Sequence, residues 1–458
     1  MRFSLDLELL ARARQWAVYL AIAILVIHYH FFPVIMGIGS FLGLLYIGMA
    51  WRSIRWKDWW PLLLLELFYV FSVINIRGEL NPNMYYNTNW PEMQLGLALV
   101  PFMFIGLRPK RCWATIWVLS SVAIFTAALV VASYNSFQMV EGAIRFIPYS
   151  VEKFGMNLFS PWQSIISGFS FFSYMQLARN VGVWPAFLSY CLVVSLIVVL
   201  HRMYKERTKF WSRLLLCAYL LLGIFLCNTR MMFLCLLVMC GILFIRMLVR
   251  KDYRPIPIWL LTASAACVIA VFFVGSRGGV IRVQQTTKGD SSFVSTLWND
   301  ILRKDPRIDL WICTWHERDA FLPWGLGSGE CGNFIKEHYY DKYGDAVGNH
   351  YEGVVDRKGI TIVQMHNMFL DTAVEQGYPG LLYLLFMLVV PLLRVGRMKF
   401  IHILLYVSLL VLISFESVVY SVFAIAFFTM IYCALIAYSN SFSASGSLRL
   451  SSMRDTNA

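Results

Sequence analysis

Residues 211–249 read WSRLLLCAYLLLGIFLCNTRMMFLCLLVMCGILFIRMLV. Two apolar runs, 211–227 and 230–249, meet at Asn228-Thr229-Arg230, and no acidic residue lies within twelve positions of Arg230. A helix needs about 20 mostly apolar residues to cross the hydrocarbon of a bilayer, and its backbone must be satisfied internally. Each run approaches that length, and the short polar turn between them marks a boundary. The stretch predicts two consecutive transmembrane helices with a lone cation where they join.

The same pattern extends outward in both directions. Further spans are expected at 15–32, 34–51, 60–76, 92–107, 112–133, 183–200, 258–274, 376–393, 400–415 and 418–437, making twelve. The run at 15–32 lacks a small-residue cleavage site and merges into the next span, so it reads as a retained helix and not a signal peptide. Residues 162–180 are apolar but Ser-rich and close on Arg179, which suits an interfacial or re-entrant helix. Composition agrees: 59% of residues are apolar and 14% charged, against about 45–50% and about 25% in soluble domains. A soluble globular protein is excluded. The expected fold is all-α and polytopic, with about twelve transmembrane helices.

Basic residues fix the orientation. With a cytoplasmic N-terminus, the inner segments 1–14, 52–59, 108–111, 201–213, 246–257, 394–399 and the tail hold 23 Lys and Arg. The short outer segments hold only Arg77, Arg145, Lys153, Arg179 and Arg230. A long outer segment, 275–366, is nearly balanced with 11 basic and 12 acidic residues. This is the positive-inside pattern, and it places both termini in the cytoplasm and the long loop in the periplasm, between helices 9 and 10. The chain divides into helices 1–9 within 1–274, a loop domain at 275–375, helices 10–12 within 376–437, and a Ser-rich cytoplasmic tail at 438–458 expected to be irregular. The net charge of +13 thus serves insertion and contact with anionic membrane lipids. No nucleic-acid motif or basic face is present, and no nucleic-acid partner is expected.

Several chemistries are absent from the pattern. No CxxC or HExxH occurs, the histidines are scattered, and no metal site is expected. Walker and dinucleotide-type glycine loops are missing, which argues against a nucleotide-driven pump. No cofactor is expected. Most of the ten cysteines fall in spans as small hydrophobes. Cys313 and Cys331 share the long loop, and a disulfide between them is left open. Outer segments 77–91 and 134–161, with Trp298, Trp311, Trp315 and Trp324 of the loop, are rich in residues that stack on sugar rings. Such residues equally form an interfacial aromatic belt.

The charged residues near the outer face carry the functional reading. Arg230 beside hydrocarbon must snorkel or find a partner; a guanidinium there would grip a diphosphate in bidentate fashion. Arg307 lies in DPRIDLW (305–311), where Asp305 and Asp309 are competing partners. Arg277 and Arg282, in GSRGGVIR after a span, are rival phosphate ligands or headgroup contacts. The most distinctive stretch is MHNMFLDTAVEQGYPGLL, residues 365–382. It starts at the outer surface and runs into an apolar helix, and Gly377 and Gly380 around Pro379 permit a break there. An imidazole, with an ordinary pKa near 6.5, accepts a proton at neutral pH, so His366 is a candidate general base.

His366-Asn367, nine residues, Gly377, two residues and Gly380 resemble the His-Asn-x9-Gly-x-x-Gly signature of bacterial O-antigen ligases. These share a superfamily with O-antigen and exopolysaccharide polymerases. The resemblance extends to the architecture and to two arginines. Arg230 stands where the family has an Arg opening a helix, usually as Ser-Arg-Gly; its neighbours here, Thr229 and Met231, depart from that pattern. Arg307 and Trp311 fit an Arg-x3-Trp pattern, and Trp324-Gly325-Leu326-Gly327-Ser328-Gly329 resembles the Gly-x-Gly-x-Gly segment that follows it.

What the resemblance implies is a GT-C-like, metal-independent glycosyltransferase in the bacterial inner membrane, with its active site on the periplasmic side. The donor would be a glycan on undecaprenyl diphosphate, and the acceptor the lipid A–core of lipopolysaccharide. Arg230 and Arg307 would hold the diphosphate and His366 would act as general base, with Asn367, Gly377, Gly380, Trp311, Arg277 and Arg282 as secondary candidates. Glu317, Glu330 or Glu375 could assist. A polymerase would instead use a second lipid-linked repeat unit as acceptor. A transporter of lipid-linked sugars is the alternative of another class, but the similar half-segments expected of inverted repeats are not found.

Overall fold

The computed structural model describes residues 6–27, 31–76, 94–107, 112–147, 177–178, 181–205, 209–227, 229–250, 306–335, 338, 365–394, 399–418 and 422–455. The elements are α1 (Leu7–Ile27), α2 (Phe32–Ala50), α3 (Trp56–Ile74), α4 (Leu95–Phe104), α5 (Cys112–Asn135), β1 (Phe137–Val140), β2 (Ala143–Phe146), α6 (Pro185–Lys205), α7 (Phe210–Cys227) and α8 (Arg230–Arg250). They continue with α9 (Pro306–His316), α10 (Cys331–Ile335), α11 (Met368–Leu392), α12 (Phe400–Phe415) and α13 (Val422–Asp455).

The protein is mostly helical, and among the described residues six helices are long and apolar enough to cross a membrane: α1, α2 with its 3-10 extension, α5, α6, α7 and α11. Shorter apolar helices lie at Leu95–Phe104, Met231–Arg246, Phe400–Phe415 and Ala424–Asn440. The apolar surface is turned outward where lipid would cover it. On α2, Val34, Ile38, Phe41 and Leu45 form an exposed stripe at the spacing of one helix face. The expected span at 258–274 and nearly all of 162–180 lie outside the described residues, as do Arg277 and Arg282.

The chain forms two compact units. The first comprises Met1–Leu25, His30–Lys110 and Asp305–Ala458, and the second Val26–Tyr29 and Arg111–Lys304.

In the first unit, α4 packs against α2, α3 and α13, and α11 against α3 and α12. At Gly43 of α2 an added Cβ would stand 2.2 Å from the Phe102 carbonyl oxygen, so the small residue lets two backbones touch, as is common between membrane helices. α4 ends early, at Ile105 and Gly106, and its last carbonyls are taken up by Arg14 of α1. The guanidinium donates to Met103 O at 3.1 Å, Ile105 O at 2.6 Å and Phe102 O at 3.5 Å, and it sits over the Tyr46 ring at 4.3 Å. Pro391 near the end of α11 supplies no N–H for Met387 O, four residues back; the hydroxyl of Tyr432 donates to that oxygen instead, at 2.8 Å.

In the second unit α6 is the central helix, packing against α5, α7 and α8 and buried along most of its length. A hairpin, β1–β2, follows α5 and pairs Phe137 with Phe146 and Val140 with Ala143. Its two-residue turn, Glu141 at φ 52° and Gly142 at φ 78°, has the left-handed pair that a tight hairpin needs. This is an addition to the all-α expectation. At the other end of the chain, α13 continues to Asp455, through the tail expected to be irregular. Cys313 and Cys331 are not joined in a disulfide: the Cys313 thiol reaches the His338 carbonyl at 3.6 Å and that of Cys331 the Asp371 carboxylate at 3.5 Å.

Candidate functional site

The site is built around the start of α11. This helix begins at Met368, ahead of the apolar run expected from 376, because Asn367 caps it. Asn367 is extended, and its side-chain oxygen accepts from the N–H groups of Phe369 at 3.0 Å and Leu370 at 3.1 Å. Two otherwise orphaned helix donors are thereby satisfied. The Asn of the His-Asn pair is therefore a helix cap.

His366, one residue earlier, is held at φ 51°, a left-handed conformation uncommon for a residue with a side chain. The neighbouring Met365 is pinned on both of its backbone groups. Its N–H donates to Asp371 Oδ1 at 3.3 Å, and its carbonyl accepts from the Trp311 indole at 2.6 Å. Thr314, one turn beyond Trp311 on α9, reaches the Met365 sulfur at 3.2 Å. The backbone on either side of His366 is thus fixed by α9 and α11, and this fixes where the imidazole points. Its Nδ1 is buried and stands 3.5 Å from Glu416 Oε2, while 37% of the side chain is exposed. The 3.5 Å approach is not a hydrogen bond, and Nδ1 makes none among the described residues. Glu416 closes α12, and its neighbour Phe415 contacts the Trp311 ring with centroids 5.8 Å apart.

The two glycine motifs turn out to be halves of one structure. α11 is interrupted at Gly377, which has φ 64° and ψ −157°, a region essentially reserved for glycine. The groups freed there pair with the segment 323–329. Leu326 N–H donates to Val374 O at 2.9 Å, Gly327 N–H to Glu375 O at 2.9 Å, and Tyr378 N–H to Pro323 O at 2.8 Å. The backbones approach so closely that a Cβ on Gly377 would lie 2.2 Å from Pro323 O, and one on Gly325 2.4 Å from Glu375 O. Glu375 adds its side chain, accepting from Gly329 N–H at 2.9 Å, and Asn75 at the end of α3 donates to its carbonyl at 2.8 Å. Gly380 faces the Gln376 side chain, where a Cβ would stand 2.2 Å from that residue's Cβ.

Of the expected site residues, His366, Asn367 and Trp311 meet at the start of α11, while Gly377 and Gly380 lie further along the same helix. Arg307 opens α9 one helical turn before Trp311, so its position shares a face with the residue that ties down Met365. Arg230 is the first residue of α8, in the second unit. Glu375 is committed to the glycine segment. Two acids were not singled out from sequence, Glu416 and Asp371. Glu416 carried a usable signal, since it is the only acidic residue between Glu375 and Asp455.

Helices with lipid-facing apolar surface and a histidine presented at a helix mouth define a polytopic membrane protein with a candidate acid–base centre. Residues 215–385 match the family described as O-antigen ligase, in line with the resemblance to the O-antigen ligase/polymerase superfamily. The match takes in Arg230, Arg307, His366 and both α11 glycines, and the matched family is one that suggests a membrane glycosyltransferase. No curated protein matches the chain.

Proposed function

We propose that the protein moves a glycan en bloc from undecaprenyl diphosphate to a hydroxyl of lipid A–core at the periplasmic face of the inner membrane. The observation that carries this reading is the placement of His366 at the mouth of α11: a part-exposed side chain whose buried Nδ1 lies 3.5 Å from the Glu416 carboxylate, which leaves the Nε2 edge to face a substrate in this reading. In this scheme that edge takes the proton from the acceptor hydroxyl as its oxygen attacks the anomeric carbon. The bond between that carbon and the diphosphate oxygen breaks, and undecaprenyl diphosphate leaves with the bonding pair. Arg230 and Arg307 bind the diphosphate and stabilise the charge that grows on it. Glu416 orients the imidazole through Nδ1 and offsets its charge once protonated, as a carboxylate does behind other catalytic histidines. No metal is required by this scheme, because guanidinium groups supply the electrostatic stabilisation.

The test is transfer by the purified protein given undecaprenyl-diphosphate glycan with either lipid A–core or a second lipid-linked glycan. Product on lipid A–core is expected. Product formed only between two lipid-linked glycans would make the protein a polymerase with the same catalytic groups. Transfer undiminished in both His366→Ala and Arg230→Ala would remove the mechanism.

A further inference from the structure

On α9, Arg307, Trp311 and Trp315 follow one another at four-residue spacing, so their positions run along one side of the helix. Each step advances about 6 Å along the axis. Trp311 lies at the level of the candidate base, since its indole donates to the carbonyl of Met365, the residue before His366. Trp315 lies one step beyond, on the side away from Arg307, and is 59% exposed.

The ring of Trp315 is ordered without being buried. Arg318 donates from Nη1 to the Trp315 carbonyl at 3.2 Å and holds its guanidinium carbon 5.6 Å from the ring centroid, within reach of a cation–π contact. The chain then winds into a 3-10 turn at Arg318–Ala320. Phe321 anchors that turn, 3% exposed and packed edge-on to Phe334 with centroids 5.4 Å apart.

The surroundings separate Trp315 from an aromatic belt. A belt residue sits between headgroups and hydrocarbon, where charged side chains are costly. Trp315 is instead followed by His316, Glu317, Arg318 and Asp319, and the Asp319 side chain is 94% exposed. This end of α9 faces water. An exposed indole ringed by hydrogen-bonding groups suits a pyranose, which offers an apolar C–H face for stacking and hydroxyls around its rim.

The order along α9 says which glycan. In a single displacement the nucleophile enters on the face of the sugar ring opposite the leaving group. With the diphosphate at the Arg307 end and the base at the level of Trp311, the acceptor arrives from the side of Trp315. We propose that Trp315, ordered by Arg318, is the stacking platform for a sugar ring of the acceptor glycan, next to the one whose hydroxyl reacts. The inference rests on the glycosyl-transfer reading and extends it to how the acceptor is held.

Two measurements test it, and only the second requires turnover. The first is equilibrium binding of lipid-free core oligosaccharide to the full chain in the His366→Ala background. Binding is expected, weakened about 10-fold by Trp315→Ala, the scale of one aromatic anchor. Trp315→Tyr, which keeps a planar ring, should restore most of it. Trp16→Ala, which removes an indole of α1 that is 65% exposed, should leave it unchanged. Absent binding, or binding indifferent to Trp315, overturns the platform. The second is transfer kinetics: Trp315→Ala should raise KM for lipid A–core about 10-fold and leave kcat and the KM of the lipid-linked donor unchanged. A rise in donor KM instead, or a fall in kcat alone, overturns the assignment to the acceptor. If the unsubstituted protein transfers nothing while oligosaccharide binding still depends on Trp315, the platform stands and the transfer reading fails.

Discussion

At Gly377 the groups freed by the break in α11 are taken up by another stretch of backbone, residues 323–327. At the end of α4 the carbonyls of Phe102, Met103 and Ile105 are taken up by one side chain, Arg14. In lipid neither set can turn to water, so each interruption of an apolar helix needs a partner built into the protein. The two solutions fail in opposite ways. The α11 break depends on the absence of atoms, since backbone meets backbone only where no Cβ intervenes. The α4 end depends on the presence of atoms, because a single guanidinium satisfies all three oxygens. The first solution leaves side chains free for other work: the half-helix between Asn367 and Gly377 carries Asp371, which holds the backbone before His366, and Glu375, which holds the glycine segment. The second uses the Nη2 group of Arg14 alone, with Nε and Nη1 buried and without a hydrogen-bond partner among the described residues.

The comparison is broken most sharply by separating chemistry from scaffold. His366→Ala should lower glycan transfer by about 100- to 10,000-fold, with insertion and melting temperature unchanged, as read by product formation and thermal unfolding of the purified protein. A comparable fall in stability would mean that His366 belongs to the scaffold. Gly377→Ala should do both kinds of damage. The alanine must adopt a conformation reserved for glycine and place its Cβ 2.2 Å from Pro323 O. A destabilisation of about 3–4 kcal/mol is expected, with transfer falling in the protein that still folds. A normal melting temperature in this variant would show that the two backbones separate without cost.

At the α4 end stability should fall without a loss of transfer. Arg14→Ala should destabilise by about 3 kcal/mol, since buried carbonyls left without donors cost about 1–3 kcal/mol each and partly relax. Transfer per folded molecule should be unchanged. Arg14→Lys should recover part of the stability, because an ammonium lacks the planar fork but still donates. Transfer lost in proportion to neither stability nor insertion would show that this end, too, bears on the reaction.

Sequence alone makes apolar helices legible, since hydropathy reports directly on solvent; against twelve expected spans, six helices among the described residues are long and apolar enough to cross a membrane. It also made His366, Asn367, Gly377 and Gly380 legible as a group, through their spacing. The partnership between Gly325 and Gly377 was not, because nothing in a single sequence says which distant backbone fills a helix break. By sequence Arg14 is one more basic residue of segment 1–14; in the structure it is 1% exposed and donates to the end of α4. The early start of α11 was hidden because Asp371, Thr372, Glu375 and Gln376 depress hydropathy; all four are buried against protein. Glu416 reads in the sequence as a boundary residue between two apolar runs, although a lone acid beside hydrocarbon calls for a partner. The hairpin turn Glu141-Gly142 was readable by its glycine, but it lies in a segment weighed for aromatic content alone.

The smallest expected effect probes how much of the α11 arrangement rests on its cap. Asn367→Ala removes the acceptor for Phe369 and Leu370 N–H and should cost about 1 kcal/mol in stability. The same substitution loosens the residue next to His366, whose left-handed backbone is otherwise held through Met365 by Trp311 and Asp371. If those two bonds suffice, transfer falls by no more than a few-fold and Asn367→Asp, which keeps the acceptor, restores it. If Asn367→Asp regains stability but not transfer, the amide itself contacts substrate and Asn367 belongs with His366 in the chemistry.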